Sequence, residues 1–299
     1  MLTGAGYIGA ALLRRLSASG PVVALDNFFS SPREHVRAAL PEGTCLIEGD
    51  VANPADVARA FDALGPNADI TVFHLAAQPS ASVAVRDPET TERSNLVGGR
   101  IVLEAAREHG ARVVFGGSFR VYGDDLQDTC VDELTPYGRV GDLSHLSKIY
   151  VEQLARMLQV HFVSVRLGIT YGLSPVMKTT PGFMTVPNLF CQRAANGEVL
   201  RVLEDQPMAF IHVEDAVDAL LAAARLVGPA WRVVNAAPEV ATVGQVARTV
   251  RHLAEAHGHT VRIEGDTRSA GRFSVKSQLA LEPRYSLETG LSAVLEYFS

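Results

Sequence analysis

The sequence predicts an α/β protein in which helices cover both faces of a doubly wound parallel β-sheet. Two observations predict this fold. Short apolar segments alternate with segments of helical periodicity along the first half of the chain, which is the pattern of successive βαβ units. A glycine-rich loop opens the first predicted helix, and an acidic residue, Asp26, closes the strand that follows that helix. In open parallel sheets these features are typical of a Rossmann-like, nucleotide-binding fold.

The predicted elements alternate regularly as far as residue 171. Helical periodicity occupies 9–19, 54–64, 96–108 and 144–158, and apolar segments of strand length occupy 21–25, 44–51, 69–77, 111–118 and 161–167. Strands that are apolar along most of their length are expected in a sheet that is covered on both faces. The sequence therefore predicts a run of parallel strands joined by crossover helices.

The pattern loosens after Tyr171. Residues 172–188 are rich in Pro, Gly and Thr and predict a loop or an insertion. Beyond them we expect a helix at 189–196, a strand at 199–203, a strand leading into a helix at 209–226, a strand at 231–237, and a tail of helix, strand and helix from Thr242. We interpret 1–170 as a nucleotide-binding domain and 171–299 as a smaller α/β substrate-binding domain, with segments around 208–236 returning to the first domain.

Composition and charge argue against several other classes of protein. Of 299 residues, 47% are hydrophobic and 20% are charged, which is ordinary for a soluble globular protein. A net charge of −6 argues against a nucleic-acid partner, since a phosphate backbone favours a basic surface. No apolar stretch reaches the roughly 20 residues that span a membrane. Cys45, Cys130 and Cys191 are far apart, which favours a reduced, cytoplasmic protein and predicts no metal site.

The glycine-rich loop has the sequence TGAGYIG from Thr3 to Gly9. Its glycines permit a tight turn and the close approach of a pyrophosphate, which then lies on the N-terminus of the next helix. Only Met1 and Leu2 precede the loop, whereas a strand of about five or six residues normally does. The central strand is therefore expected to be very short, or to begin before the given sequence. The expected cofactor contacts in the loop are Gly4, Gly6, Tyr7, Ile8 and Gly9.

Acidic residues at two strand ends indicate which dinucleotide binds. Asp26 lies about 20 residues after the loop, where a carboxylate accepts hydrogen bonds from the adenosine ribose and repels a 2′-phosphate. Asn27 follows it instead of an arginine, so NAD is favoured over NADP. Asp50 also closes a strand, in the segment EGDV, and is expected either to meet the adenine or to cap a helix.

The order of the motifs resembles that of the extended short-chain dehydrogenases/reductases, in the nucleotide-sugar epimerase/dehydratase group and in particular its UDP-glucose 4-epimerase-like members. The motifs are TGAGYIG, LDNFFSS, GDV, HLAAQPSASVAVRDPETTERSNLVGG, SFRVYG, RLGITYG, FIHVEDAVDA and EPRYSLETGL. The resemblance implies tightly bound NAD and a homodimer in which helices 96–108 and 144–158 pair across a two-fold axis. It also implies cofactor contacts by Val51, Leu75, Ala76, Ala77, Gln78, Asn95 and Lys148.

The resemblance further implies a catalytic tyrosine, activated by a lysine four residues later and assisted by a Ser or Thr at the same sugar hydroxyl. Ser118 stands at the Ser/Thr position and Lys148 at the lysine position, but the tyrosine position holds Ser144. A serine hydroxyl is a much poorer acid/base than a tuned phenol at neutral pH. Losing general acid–base catalysis lowers a rate by roughly 10²- to 10⁴-fold.

Three interpretations of this change remain open. The acid/base has moved, either to His145 on a neighbouring helical face or to Tyr137 in the preceding loop. Alternatively, the substrate is already acidic or already a ketone, so that no phenol is needed. In the third interpretation the protein binds NAD and a sugar nucleotide without turnover.

The residues expected around the substrate depart from the family in several places. Phe119-Arg120 follow Ser118, where the dehydratases carry an Asp-Glu pair and the related decarboxylases a Glu, so epimerisation or keto-reduction remains. Asn188 and Arg268 match nucleotide-contacting positions, and Arg201 is a candidate cation for a pyrophosphate. We therefore predict 4-epimerisation of a UDP- or other NDP-hexose through a 4-keto intermediate. The alternatives are a ketoreductase on a related sugar or polyol, and a non-catalytic NAD-binding protein.

Overall fold

The main sheet of the protein has seven strands, all parallel, in a computed structural model that describes residues 1–66, 68–226, 230–267 and 272–299. Its strands run in the order β11-β7-β5-β4-β1-β2-β3. The strands of the protein are β1 Leu2–Thr3, β2 Val22–Asp26, β3 Thr44–Glu48, β4 Thr71–His74, β5 Arg112–Ser118, β6 Cys130–Val131, β7 Phe162–Leu167, β8 Ile169–Tyr171, β9 Leu200–Arg201, β10 Pro207–His212, β11 Trp231–Ala236, β12 Glu239–Thr242, β13 Ile263–Glu264 and β14 Ser274–Val275.

Helices pack on both faces of this sheet, as the sequence predicts for a doubly wound fold. One apolar core contains residues of α1 and α9, and a second, on the other face, contains residues of α3, α6 and α7. The α-helices are α1 Tyr7–Leu16, α2 Arg33–Ala39, α3 Pro54–Asp62, α4 Ala81–Arg86, α5 Pro88–Thr91, α6 Gly98–Glu108, α7 Leu143–Met157, α8 Val186–Ala195, α9 Val213–Ala224, α10 Val243–Ala256 and α11 Leu287–Phe298. No helix among the described residues has the length and apolarity that would let it cross a bilayer.

The central strand β1 is only two residues long, and it is fully paired. Leu2 lies opposite Ala24 on one side and Phe73 on the other. The pairing between β1 and the β4 segment extends past the last residue of β4, because the Leu75 N–H donates to the Thr3 carbonyl at 2.9 Å. Leu2 is completely buried, so one apolar side chain anchors the strand in the core. Within the given sequence the central strand therefore consists of two residues.

The second half of the chain builds a smaller α/β unit and also returns to the main sheet. A three-stranded sheet in the order β12-β10-β8 lies with α8, α10 and α11, whose apolar residues share a third core. Within the segment expected to return, α9 packs against α1 and β11 pairs with β7 at the edge of the main sheet. Strand β10, in contrast, stays in the smaller sheet.

Several local expectations need correction. The predicted strand at 199–203 is reduced to Leu200–Arg201, and the predicted helix at 189–196 begins three residues earlier, at Val186. The helix predicted from 96 is preceded by a π-helical turn, Glu92–Val97, which the periodicity did not indicate. Pro187 lies in the first turn of α8, where its missing N–H does not disrupt the helix, so a helix start is allowed inside the predicted loop.

Candidate active site and cofactor cavity

A cavity opens at the carboxyl ends of the main-sheet strands, where the chain order reverses between β1 and β4. Ligands bind at such a switch point in open α/β sheets. Fifteen of the residues singled out in the sequence line it, coming from the segments after β1, β2, β3, β4 and β5 and from the start of α7: Gly4, Gly6, Tyr7, Ile8, Gly9, Asp26, Asn27, Val51, Leu75, Ala76, Ala77, Ser118, Ser144, His145 and Lys148.

The glycine-rich loop brings backbone to the cavity as the motif requires. Gly4 has a φ of 85°, and a Cβ there would lie 2.6 Å from the Ala76 backbone nitrogen. A Cβ on Gly9 would lie 1.9 Å from the Gly4 carbonyl oxygen, so the third glycine is needed for the close packing of α1. Gly6 is the N-cap of α1 and supplies no side-chain cap. The first N–H groups of that helix therefore remain suited to an anionic group such as a pyrophosphate.

Asp26 closes β2 at the edge of the cavity. Its two carboxylate oxygens accept hydrogen bonds from the backbone N–H groups of Ala5 and Phe28, each at 2.6 Å. Burial raises the pKa of the Asp26 carboxyl, and these two hydrogen bonds act in the opposite direction. The bonds fix the carboxylate between the glycine loop and β2, where a ribose hydroxyl could still reach its remaining lone pairs.

Three predicted cofactor residues, Asp50, Gln78 and Asn95, are absent from the lining of the cavity. Asp50 accepts from the Ala52 N–H at 2.8 Å and pairs with Arg93 at 3.0 Å. The Asn95 side chain bonds the Gln78 backbone, with its oxygen 2.7 Å from the Gln78 nitrogen. These side chains hold the loops after β3 and β4, and they do not line the cavity themselves.

Lys148 projects from α7 to the carboxyl end of β5. Its ammonium donates to the Gly116 carbonyl at 2.8 Å and lies 4.7 Å from the centroid of the Phe115 ring. Burial lowers the pKa of Lys148 to about 8; Glu152 opposes that shift, and Lys178 adds to it. A lysine held in this way presents positive charge at the inner end of the cavity.

Asp142, Ser144 and His145 form a hydrogen-bonded cluster at the N-terminus of α7. Asp142 is the N-cap, and its carboxylate accepts from the His145 backbone N–H at 3.1 Å and from the Ser144 hydroxyl. Its second oxygen lies 2.5 Å from His145 Nδ1. Burial alone would raise the pKa of the Asp142 carboxyl, but the bonds from His145 and Ser144 outweigh it and hold that pKa well below its usual range.

This arrangement gives His145 the geometry of a general acid/base. With Nδ1 facing a carboxylate, Nε2 is the ring nitrogen that has no hydrogen bond within the described part of the chain. A carboxylate on one nitrogen orients the ring and stabilises the imidazolium that forms when the other nitrogen takes a proton. Ser144 is 3% exposed, and its hydroxyl is committed to Asp142.

Tyr137 lies outside the lining of this cavity. Its hydroxyl donates to Glu152 Oε2 at 2.8 Å and accepts from Gln153 at 2.8 Å. Burial, followed by the neighbouring Glu152, raises the pKa of Tyr137 to about 12, which is opposite to what a catalytic base needs. Glu152 in turn forms a buried ion pair with Arg166 at 2.7 Å. The contacts of Tyr137 belong to this structural network beneath the site.

A second cavity adjoins the first and shares Ser118, His145, Leu167 and Gly168 with it. Most of its other walls are apolar: Phe119, Leu126, Ile169, Pro207, Met208, Ala209 and Phe273. Arg120 lines it and pairs with Asp124, another lining residue, at 2.7 Å. Because Ser118 and His145 face both cavities, they mark the boundary at which a cofactor and a substrate would meet.

The three expected nucleotide contacts lie outside both cavities or outside the described residues. Asn188 is buried, and its side chain bonds Gly172 and the Tyr7 hydroxyl. Arg201 is exposed and pairs with Glu264 at 3.3 Å. Arg268 lies outside the residues that the structure describes.

Sequence reasoning missed two charged residues of the site. Asp142 directly precedes α7, and the pattern of Asp followed by His three residues later was the signal that could have identified the pair. Lys178 lines the cofactor cavity from within the segment expected to be a loop. No local periodicity could place that lysine.

The fold and the cavity together define a protein of the Rossmann class with a second cavity next to the one expected to hold the cofactor. The profile of the NAD dependent epimerase/dehydratase family matches residues 1–237, and the chain belongs to that family. NAD is the cofactor of this family, and the loop, Asp26 and the uncapped start of α1 fit it.

Relatives and solved structures agree with the family. UDP-glucuronic acid decarboxylase 2 of Arabidopsis thaliana is 29% identical over 99% of this chain, which spans 66% of that relative. UDP-glucose 4-epimerase of Mycolicibacterium smegmatis is 27% identical, with 100% of this chain and 97% of the relative covered. The Thermus thermophilus UDP-glucose 4-epimerase complex with NAD has a TM-score of 0.80 and 25% identity, covering 99% of this chain and 97% of that one. The structure of a Thermotoga maritima UDP-glucose 4-epimerase with UDP-glucose has a TM-score of 0.83 and 24% identity, covering 99% of this chain and 97% of that one. At this identity it supports the fold alone.

Proposed function

We propose that the protein is an NAD-dependent epimerase that inverts C4 of a nucleotide hexose through a transient 4-keto intermediate. The observation that carries the proposal is the position of His145, which faces both cavities and has Asp142 2.5 Å from its Nδ1. A titratable group that lines both cavities supports proton transfer at a substrate hydroxyl beside the cofactor. The names of the relatives support a nucleotide sugar as the class of substrate.

Each residue of the site has a role in this proposal. NAD, when bound, accepts a hydride from the sugar carbon and later returns it to the opposite face. His145 takes the proton from the C4 hydroxyl through Nε2 and returns it to the ketone oxygen, while Asp142 stabilises the imidazolium. Ser118 donates a hydrogen bond to the same oxygen. Lys148 keeps positive charge next to the cofactor and so favours loss of the hydroxyl proton.

The second cavity favours a neutral hexose over a uronate. A sugar carboxylate buried there would need a cation, since an unpaired buried charge is costly. Among the described lining residues, Arg120 is the one Lys or Arg, and Asp124 already neutralises it at 2.7 Å. The residue after Ser118 is Phe119, which cannot transfer a proton. Both points favour epimerisation over decarboxylation, although the relatives include enzymes of both kinds.

Two alternatives remain for the same site. A ketoreductase acting on a related sugar or polyol would use the same His145–Asp142 pair but would release a reduced product and oxidised cofactor. A non-catalytic family member would bind NAD without turnover. The Ser144 hydroxyl is held by Asp142. If His145 also proved dispensable, the non-catalytic alternative would be favoured.

The experiment compares the wild-type protein with two variants, using a nucleotide hexose as substrate and following product formation by proton NMR. We expect His145→Ala to lower kcat by about 10²- to 10⁴-fold, the usual loss for general acid–base catalysis. Tyr137→Phe is the matched comparison, and it should retain kcat within about tenfold because its hydroxyl belongs to the Glu152 network. If Tyr137→Phe abolished turnover and His145→Ala did not, the assignment of the proton carrier would be wrong.

We also propose a cytoplasmic homodimer, formed by the region of α6 and α7. Val97 and Leu146 carry large exposed apolar side chains, 38% and 48% exposed, just before α6 and near the start of α7. A two-fold axis beside these helices would bury both patches. Light scattering of wild type and Val97→Glu tests this proposal. A dimer that Val97→Glu converts to monomer supports it, and a wild-type monomer at micromolar concentration rejects it.

A further inference from the structure

The segment from Gly172 to Thr185 lies over the glycine loop and is fastened to it. The Tyr7 hydroxyl donates to the Gly172 carbonyl at 2.7 Å, and the Ser174 hydroxyl donates to the Tyr7 carbonyl at 2.5 Å. Farther along, the Phe183 ring meets the Phe29 ring edge-on, with centroids 5.7 Å apart. Phe29 itself lines the cofactor cavity. We call residues 172–185 the strap.

Lys178 is the charged residue of the strap that faces the cofactor cavity. Its ammonium lies 6.0 Å from the centroid of the Tyr7 ring. The side chain is half-buried, and within the described part of the chain it has neither an ion pair nor a hydrogen bond. Burial lowers the pKa of Lys178 to about 8, and an anion beside the ammonium would favour the charged form and raise that pKa.

An unpaired and half-buried ammonium is unfavourable unless a ligand neutralises it. Lys148, the other lysine of the cavity, already donates to the Gly116 carbonyl. Lys178 instead lies next to Tyr7, the first residue of α1, whose N-terminus is suited to an anion. The doubly charged pyrophosphate of NAD is the anionic group that the loop and this helix would hold. A lysine is an effective point-charge partner for a phosphate.

We propose that Lys178 binds the pyrophosphate of NAD, so that the strap holds the cofactor in place and slows its release. The inference concerns the cofactor alone and does not depend on which sugar, if any, is turned over. A strap of this kind would keep NAD bound between the two hydride transfers of an epimerisation.

The test measures NAD binding by calorimetry and NADH release by stopped-flow fluorescence in Lys178→Gln and Lys178→Arg. We expect Lys178→Gln to raise the Kd for NAD by about 10- to 100-fold, the range of a charge-assisted hydrogen bond, and to speed NADH release. Lys178→Arg should stay within about fivefold of wild type. Arg225→Gln removes an exposed charge at the end of α9 outside the cavity and is the matched control, with unchanged binding.

Adenosine lacks the pyrophosphate, so its binding distinguishes the loss of a direct contact between Lys178 and the pyrophosphate from structural damage to the site. Its affinity, measured by ligand-observed NMR, should be the same in wild type and Lys178→Gln. Phe183→Ala keeps the lysine but loosens the strap, and it should speed NADH release. The proposal is overturned if Lys178→Gln binds NAD within twofold of wild type, or if it loses NAD and adenosine to the same extent.

Discussion

Asp142→Asn is the change that isolates the electrostatic part of the proposed acid/base. Asparagine is nearly isosteric and caps a helix about as well as aspartate, so the N-terminus of α7 should remain intact. The variant loses the negative charge that lies 2.5 Å from His145 Nδ1. Folding should therefore change little, whereas proton transfer through His145 should change clearly.

The contacts set the expected magnitude. A hydrogen bond to a charged group contributes about 1.5–3 kcal/mol, which corresponds to roughly a 10- to 150-fold loss in kcat/KM if the bond strengthens as His145 takes its proton. The free energy of unfolding at pH 8 should fall by about 1 kcal/mol or less.

The assay combines kcat/KM with NAD affinity and urea unfolding. Asp62→Asn is the control, because it removes an exposed carboxylate from α3 that lines neither cavity. An unchanged kcat/KM in Asp142→Asn would refute the coupling of Asp142 to His145. Loss of NAD binding in that variant would instead show that Asp142 supports the site structurally.

Three further changes test other parts of the site and the fold. Lys148→Ala should lower turnover by at least about 10²-fold, measured by NMR on protein saturated with NAD, since its charge lies at the inner end of the cofactor cavity. Glu152→Gln should lower the free energy of unfolding by about 3–5 kcal/mol in urea, because it leaves the buried Arg166 without its counter-charge. His74 is buried and its pKa is lowered to about 3, so as the pH falls the unfolded chain binds a proton at this residue before the folded protein does. The free energy of unfolding should therefore fall by up to about 1.4 kcal/mol per pH unit below about pH 6.5, and His74→Asn should flatten that dependence.

Local sequence patterns place the glycine loop and Asp26 at the cofactor cavity. The glycine loop and Asp26 are separated by one helix and one strand, so the βαβ pattern alone brings them to the same end of the sheet. Asp142 and His145 are likewise close in sequence, one helical turn apart at an N-cap, although sequence reasoning did not pair them. In such cases backbone geometry fixes the arrangement before any tertiary contact forms.

Contacts between distant segments could not be predicted in this way. Tyr137 was an open candidate for the acid/base because nothing local reveals that its hydroxyl reaches Glu152 on α7. The strap has no periodicity, so Lys178 becomes visible only once Gly172 and Ser174 are seen bonded to Tyr7. Asn188 matched a nucleotide-contacting position, yet its amide is used to hold the same tyrosine and Gly172. Side chains from separate elements compete for such hydrogen-bond partners, and the spacing of residues in the sequence does not predict which of them will bond.

Proton NMR of the purified protein with NAD and a panel of nucleotide sugars tests the central claim most directly. We expect a new anomeric signal from the C4 epimer of a neutral nucleotide hexose, no change in the corresponding uronate, and loss of the new signal in His145→Ala. NAD binding without conversion of any sugar in the panel would contradict it, and would leave Ser144 and its partner Asp142 as features of a protein that binds the cofactor without using it on these substrates.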